Sequence, residues 1–252
     1  MEALLAVRNL TMAYGDVVIQ RDINFSIASG DLFVIMGGSG CGKSTLLRHL
    51  IGLLQPAAGS ILYRGENLHD LDPKQRRQVL RRWGVLFQSG ALWSSMTLAE
   101  NIAVPLQQFT DLDRHQIAEL VALKLALVGL DGFQDYYPSE LSGGMQKRAG
   151  LARAMALDPE ILFCDEPSSG LDPVSARRLD ELLLELNASL GTTMVVVSHD
   201  LDSIFAIAGN GVFLDAETRT MLAAGSPREM LATGHPRIRE FLSRGGERSL
   251  AC

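Results

Sequence analysis

Short apolar runs alternate with helically spaced stretches along most of this chain. Before residue 36 the runs are strand-like, at 4–10, 17–20 and 23–27, with Tyr14-Gly15-Asp16 as the turn between the first two. Residues 33–36 are continuously apolar, the pattern of a strand covered on both faces, and a helical spacing begins near Lys43. Gln55-Pro56-Ala57-Ala58-Gly59 breaks that helix, and 60–64 predicts another strand. Asp72-Pro73 then opens a helix, with Asp as N-cap and Pro at the first helical position. Residues 85–87 form a brief strand ending at Gln88, and 89–95 a loop. From Thr97 to about Ala156 the spacing is mostly helical, with Ile117, Leu120, Val121, Leu125 and Val128 on one face of 113–130. Buried-strand runs return at 161–164 and 193–198, separated by a helix over 174–190, and 212–214 and 221–223 close the series. The pattern predicts an α/β chain with a β-rich start and a helical block inserted into the alternation. Residues 226–252 read as a tail with helical pieces at 227–232 and 236–242 and a polar end at 244–248.

Between the apolar run and the helix stands Gly37-Gly38-Ser39-Gly40-Cys41-Gly42-Lys43-Ser44, a complete G-x-x-x-x-G-K-[ST] phosphate loop. Glycines let backbone N–H groups converge on an anion, and the helix N-terminus behind them adds a partial positive charge. Lys43 is placed to reach the β- and γ-phosphates and the Ser44 hydroxyl to ligate Mg²⁺. With Thr45 these residues make up the expected ATP-binding set. Tyr14 precedes the loop on a predicted hairpin; its ring is placed either to stack on a purine or to half-pack in the turn, and spacing alone leaves both open.

A second anion site is written at Leu141-Ser142-Gly143-Gly144-Met145-Gln146, where a serine N-cap and two glycines precede a helical run. The strand at 161–164 ends in Asp165-Glu166-Pro167, and adjacent acids after four apolar residues are costly to place without a task. Side chains alternate along a strand, so Asp165 can hold Mg²⁺ through water while Glu166 faces an attacking water as general base. His199 follows the strand at 193–198, at the sheet edge where α/β folds place ligands; it is expected to meet the γ-phosphate or to orient Glu166. His49, His69, His115 and His235 carry no comparable argument. Lys74, Arg76, Arg77, Arg81 and Arg82 make the helix after Asp72 basic, and a solvated face explains such a run more simply than a polyanion site.

Composition narrows the setting. The 252 residues carry a formal net charge of −6, so no overall basic field points to nucleic acid. No run approaches the roughly 20 apolar residues of a membrane span, and the start MEALLAVRNL lacks a basic-then-apolar signal pattern, so a cytoplasmic chain is expected. Cys41, Cys164 and Cys252 are too scattered for a disulfide framework or a zinc site.

The motifs together resemble the ATP-binding subunits of ABC transporters, in the family's order and over nearly the whole chain. They are the phosphate loop, Gln88 as the Q-loop, the signature 141–146, the Walker B segment 161–166, the D-loop Ser169-Gly170-Leu171-Asp172 and the switch His199. Met145 departs from the glutamine many members have. The resemblance implies an α/β P-loop NTPase fold of the ABC nucleotide-binding type, with an N-terminal antiparallel β subdomain and an inserted α-helical subdomain. In residue terms it implies an ATPase domain over 1–225, with a catalytic core at 1–88 and 157–225, a helical signature subdomain at 89–156 and a tail at 226–252. It further implies ATP and Mg²⁺ as cofactors and Tyr14 stacked on adenine. Lys43, Gln88, Glu166 and His199 would act in catalysis, with Ser44, Gln88 and Asp165 around the metal. Two copies would dock head to tail, each ATP lying between one copy's Lys43 and the other's Ser142, Gly143, Gly144 and Met145, with Asp172 in the D-loop.

A narrower resemblance, in GGSGCGKSTLLRHLIGL, in GVLFQSGALWSSMTLAENIAVPL and in the tail GHPRIREFLSRGGE, is to the Mla (Mce-associated) lipid-trafficking transporters of Gram-negative bacteria. It implies an MlaE-type permease, an MlaD-type Mce-domain protein and an MlaB-type STAS-domain protein as partners, with no nucleic acid. It also implies phospholipid cargo moved between inner and outer membranes, attachment to the cytoplasmic face of the inner membrane through the permease, and a tail serving as an intersubunit arm. A transporter ATPase for another solute, such as an amino acid or metal, is the main rival. A soluble ABC ATPase would bring tandem cassettes or a coiled-coil insertion, and a small-molecule P-loop kinase would lack the signature.

Overall fold

The computed structural model describes residues 3–249; Cys252 and the first two residues of the chain lie outside them. β1 (Ala3–Tyr14) and β2 (Val17–Ala28) pair antiparallel around the Gly15-Asp16 turn, from Tyr14 opposite Val17 to Ala3 opposite Ala28. The runs at 17–20 and 23–27 fuse into one strand, because Asp22 takes a left-handed backbone (φ 54°) that shifts the register without ending the pairing. β3 (Leu32–Gly37) leads through the glycine loop into α1 (Lys43–Leu50). β4 (Ala58–Tyr63) returns to pair with β1, and the two-residue β5 (Glu66–Asn67) completes a four-stranded antiparallel sheet in the order β2-β1-β4-β5.

α2 (Pro73–Leu80) starts where the sequence places it: the Asp72 side chain accepts from the amides of Lys74 and Gln75, and Gln75 bonds back to Asp72. β6 (Trp83–Leu86) follows. The helical block resolves into α3 (Leu98–Phe109), α4 (Arg114–Leu127) and α5 (Gly143–Ala154), capped by Thr97, Asp113 and Ser142. The chain then re-enters the sheet as β7 (Ile161–Asp165), α6 (Pro173–Leu190), β8 (Thr193–Val197), α7 (Leu201–Ile207), β9 (Asn210–Asp215) and β10 (Thr220–Gly225). α7 was not legible from the hydrophobic pattern; Asp200 caps it through the Asp202 amide.

The second sheet runs β10-β9-β3-β8-β7-β6, parallel except for β10. Its strands alternate between two hydrophobic cores, as a period of two requires. Phe33, Ile35, Ile161, Phe163, Val195 and Val197 face α1 and the antiparallel sheet. Val34, Met36, Leu162, Cys164, Met194 and Val196 face the helices on the other side. Each fully buried side chain of this kind contributes roughly 1.5–3 kcal/mol, so the central strands hold both layers. The tail folds back on its own chain: α8 (Pro227–Thr233) and α9 (Pro236–Ser249) bring Ile238 and Leu242 into the helix-side core, and Phe241 meets Phe213 edge-on.

His49 lies buried in α1, donating from Nδ1 to the Thr45 carbonyl at 2.8 Å, with Nε2 enclosed and unpartnered among the described residues. Burial holds its pKa below the ordinary value, against the pull of the Thr45 and Gln55 backbone. A histidine whose folded pKa is depressed costs nothing while both states are neutral. It destabilises the fold as pH drops below about 6.5, where the unfolded chain takes up a proton the folded chain refuses. His69 is lowered in the same direction, chiefly by burial. Asp180, pushed up to about 6 mainly by burial, acts oppositely, since the folded state holds its proton more tightly as pH falls. The difference between two chains isolates His49. The urea midpoint of the wild type should fall more steeply from roughly pH 7 to 5 than that of His49→Gln, and parallel profiles would contradict this account.

Candidate functional site

Gly37 ends β3 at a φ of 146°, and a Cβ there would lie 2.3 Å from the Leu214 carbonyl oxygen and 2.8 Å from the Cys41 sulfur. No other residue fits, and the loop turns where that glycine allows it. Lys43 is buried within the curl and donates to the carbonyls of Gly37 and Gly38 at 3.0 and 2.9 Å. Gly42 stands at the N-cap of α1 without a side-chain cap, so the first amides of the helix are left to the loop. Ser39, Gly40, Gly42, Lys43, Ser44, Thr45, Glu166 and His199 line one cleft of about 400 Å³, with Ile19 on its remaining wall. Cys41 sits behind this surface, buried, its thiol pKa raised chiefly by desolvation.

The acidic strand end meets the loop across the edge of the sheet. Ser44 Oγ donates to Asp165 Oδ1 at 2.9 Å. Burial raises the Asp165 pKa first, Glu166 adds to the rise, and the Ser44 hydrogen bond, Arg48 and Lys43 oppose it. Glu166 takes a left-handed backbone (φ 46°), which costs a residue with a Cβ about 1–3 kcal/mol and marks a constrained position. Its Oε1 accepts from His199 Nδ1 at 2.9 Å, which requires the proton on that nitrogen. Gln88 Nε2 lies 3.5 Å from Glu166 Oε2 and 3.3 Å from Ser169 Oγ. Ser44 and Asp165 meet as hydroxyl and carboxylate oxygens, hard donors that suit Mg²⁺, while the Gln88 side chain faces Glu166 and Ser169 rather than this pair. Among the described residues no group of three or more His, Cys, Asp or Glu side chains is arranged to hold a metal.

Other expected residues stand apart from this cleft within one chain. Ser142 caps α5 by accepting from the Met145 amide at 3.3 Å and is exposed with Gly143; Gly144 and Met145 are half-buried. None of the four lines the phosphate-loop cleft. Asp172 caps α6, accepting from the amides of Val174 and Ser175 at 3.0 Å each; the hydroxyl and amide of Ser175 lead the interactions that hold its pKa low. The D-loop and the first turn of α6 lie against the signature, with Leu171 facing Gly143 and Ser175 facing Gly144. Tyr14 is 48% exposed at the end of the β1–β2 hairpin and does not line the cleft, whereas Ile19 of that hairpin does.

Two contributors were missed. Gln20 is buried and donates through Nε2 to the carbonyls of Cys41 and Asp215 at 2.7 and 2.8 Å, tying β2 to the loop and to β9. Lys147, on α5, is buried against the backbone of Gln88 and Glu166. A polar residue closing the apolar run Val17-Val18-Ile19 was the available signal for the first; the second had none.

Apart from the phosphate-loop cleft, α2, β6, α3 and α5 enclose an open groove of about 550 Å³. Arg77, Arg81, Arg153, Trp93, Phe109 and Pro105 are among its lining residues, with Arg81 over the Phe109 ring at 4.8 Å and Arg153 over Trp93 at 5.1 Å. The basic helix is therefore solvated on one side and lines this groove on the other.

A family model described as ABC transporter matches residues 20–169. A protein of Mycobacterium tuberculosis, described as a probable ribonucleotide transport ATP-binding protein, Mkl, is 42% identical over 95% of this chain, which spans 66% of that protein's length. The MlaF protein of Haemophilus influenzae, described as an intermembrane phospholipid transport system ATP-binding protein, is 40% identical over 95% of this chain and 90% of its own length. Among solved structures, a dimeric ABC transporter cassette superposes with a TM-score of 0.79 at 28% identity, covering 88% of this chain and 98% of the cassette. The matched stretch runs from the β2 residues behind the phosphate loop to Ser169 beyond the acidic strand end, so the chain belongs to the ABC transporter family.

Proposed function

We propose that this chain is the ATP-hydrolysing subunit of an ABC transporter that moves phospholipid between membranes. The observation that carries the ATPase reading is one cleft lined by phosphate-loop residues together with the hydrogen-bonded Glu166–His199 pair, with Asp165 hydrogen-bonded to the cleft residue Ser44. Lys43 and the loop amides would bind the phosphates, and Tyr14 would stack on the adenine. Ser44, Gln88 and Asp165, the last through water, would hold Mg²⁺, which when bound neutralises charge developing between the β- and γ-phosphates. Glu166 would take the proton of the attacking water through its carboxylate, oriented by His199 on one oxygen and by Gln88 near the other. With Nδ1–H given to Glu166, a neutral His199 ring presents Nε2 as an acceptor, so donating to a γ-phosphate oxygen requires the imidazolium.

Ser142, Gly143, Gly144 and Met145 lie outside the cleft of their own chain, which supports their use by a second copy docked head to tail, with Asp172 beside them. ATP would then join two copies, and loss of the γ-phosphate would release them. Arg77, Arg81 and the aromatic rings of the groove they line would receive a cytoplasmic segment of a membrane permease of the MlaE type. Among the described residues no helix is long and apolar enough to cross a membrane. Attachment at the inner face of the inner membrane would therefore come through that permease. An MlaD-type Mce-domain protein and an MlaB-type STAS-domain protein complete the proposed complex. The phospholipid assignment is supported by likeness to MlaF over most of both chains and by the segment Phe87-Gln88-Ser89-Gly90-Ala91-Leu92.

Three measurements bear on this reading. Glu166→Gln should lower kcat for ATP hydrolysis by about 10²–10⁴-fold and, at saturating ATP, accumulate a dimer visible by light scattering; a monomer with full turnover would overturn the base assignment. Lys43→Ala removes charge-assisted hydrogen bonds worth roughly 1.5–3 kcal/mol, so ATP affinity should drop by about ten- to a hundredfold in a titration, and an unchanged Kd would contradict its role. For the cargo, the tagged chain is purified from membranes in mild detergent. Co-purification of a permease with an Mce-domain protein, followed by ATP-dependent phospholipid transfer, is expected; a different permease would replace the cargo while keeping the ATPase.

A further inference from the structure

Lysine is rarely buried without an ion pair. Lys147 is only 7% exposed, and among the described residues no carboxylate lies within ion-pair distance of it. Its ammonium instead donates to the carbonyl oxygen of Gln88 and lies 3.5 Å from that of Glu166. Both carbonyls belong to residues that flank the attacking water in the proposed reaction. Burial holds its pKa below the ordinary lysine value, against the opposing pull of Glu166 and Asp165.

The contact continues along α5 over successive turns. Gly150 faces Gly90 so closely that a Cβ on it would lie 3.0 Å from the Gly90 Cα and carbonyl oxygen. Arg153 Nη2 donates to the Gly90 carbonyl at 3.2 Å and Nη1 to the Ala91 carbonyl at 2.7 Å. Gly90 and Ala91 are both left-handed, with φ of 74° and 52°, and the second is an uncommon conformation for a residue with a Cβ. The backbone after β6 is thus held in a constrained turn by groups that all come from one helix.

We propose that Lys147 is a positioning residue that, with Arg153, fastens the backbone of residues 88–91 to the signature helix α5 and so holds the Gln88 side chain in place beside Glu166. Resting on the ATPase reading above, this gives Gln88 a second address. Its side chain faces Glu166 and Ser169 in the core, while its backbone belongs to the helix that begins at Ser142. Arg153 also lines the groove assigned to the permease, so a segment seated there would bear on the same backbone.

The test compares the full chain with Lys147→Met by hydrogen exchange and by steady-state ATP hydrolysis. Amides 88–92 should exchange about tenfold faster in the variant while α5 and β7 keep their protection; unchanged exchange at 88–92 would overturn the proposal. In hydrolysis, kcat should fall by about tenfold with KM for ATP within about twofold, and Lys147→Arg should recover part of the loss. On a Gln88→Ala background Lys147→Met should cost less than about twofold more, because both act through one side chain; a full multiplicative loss would show that Lys147 does not act through Gln88. Should Lys147→Met fail to fold, Lys147→Gln is read in the same way. Exchange is measured without nucleotide, so a wild type that does not hydrolyse ATP would defeat the ATPase reading while leaving the fastening to be judged on exchange.

Discussion

Three parallel strands ending in one row are the constraint on which the rest of this molecule depends. Ile35, Val197 and Asp165 are register partners across β3, β8 and β7. The ladder continues past the last paired residues, with the Ser198 amide donating to Ile35 and the Glu166 amide to Val197. Segments following these strands therefore leave the sheet side by side. The glycine loop and α1 follow the first, His199 the second, Glu166 the third. The Ser44–Asp165 and His199–Glu166 hydrogen bonds are consequences of that row, joining residues far apart in sequence because the strands that precede them are neighbours. Both faces of the strands are buried, so a register slip would turn each side chain into the wrong core.

Burial on this scale gives the edge its electrostatic character. Asp165 is 9% exposed at the end of an apolar strand, and its carboxyl is pushed toward the neutral form, chiefly by desolvation. A cation at that position reverses the balance by favouring the carboxylate, as Lys43 and Arg48 already do in part. The left-handed backbone at Glu166 is held by the Val197 hydrogen bond on one side and by the Lys147 contact on the other. Strain of this kind persists only where the surroundings over-determine it, and here they include both the sheet and the helical block.

The helical block is joined to this edge chiefly along α5. Its N-terminus presents the signature residues, its middle holds the backbone of Gln88 to Ala91, and its far end lines the basic, aromatic groove. One helix thus reaches the proposed nucleotide contacts of a second copy, the glutamine beside Glu166 and the proposed permease seat. A rigid helix is a short route between such sites, since its side chains shift together.

Much of this was legible in the residues, and the limits are physical. The glycine loop, the caps at Asp72 and Ser142, the buried strands at 161–164 and 193–198 and the acids at 165–166 are local patterns. Each depends on spacing, turn chemistry or the cost of polar groups next to an apolar run, all of which a sequence carries directly. The long second strand was read as two pieces, because the left-handed turn at Asp22 looks like a break when the pairing across β1 is unknown. α7, only seven residues long, gave too little periodicity to stand out. What tertiary structure alone decided is proximity. The Gln20 side chain reaches the Asp215 carbonyl, Lys147 the Gln88 carbonyl, and Arg237 the Asp215 carboxylate, across separations that no local pattern records. Sequence by itself determined which chemical groups this chain owns and the order in which it presents them; the order of strands in the sheet decided which of those groups meet, because hydrogen-bond registry between distant segments is a property of the folded chain.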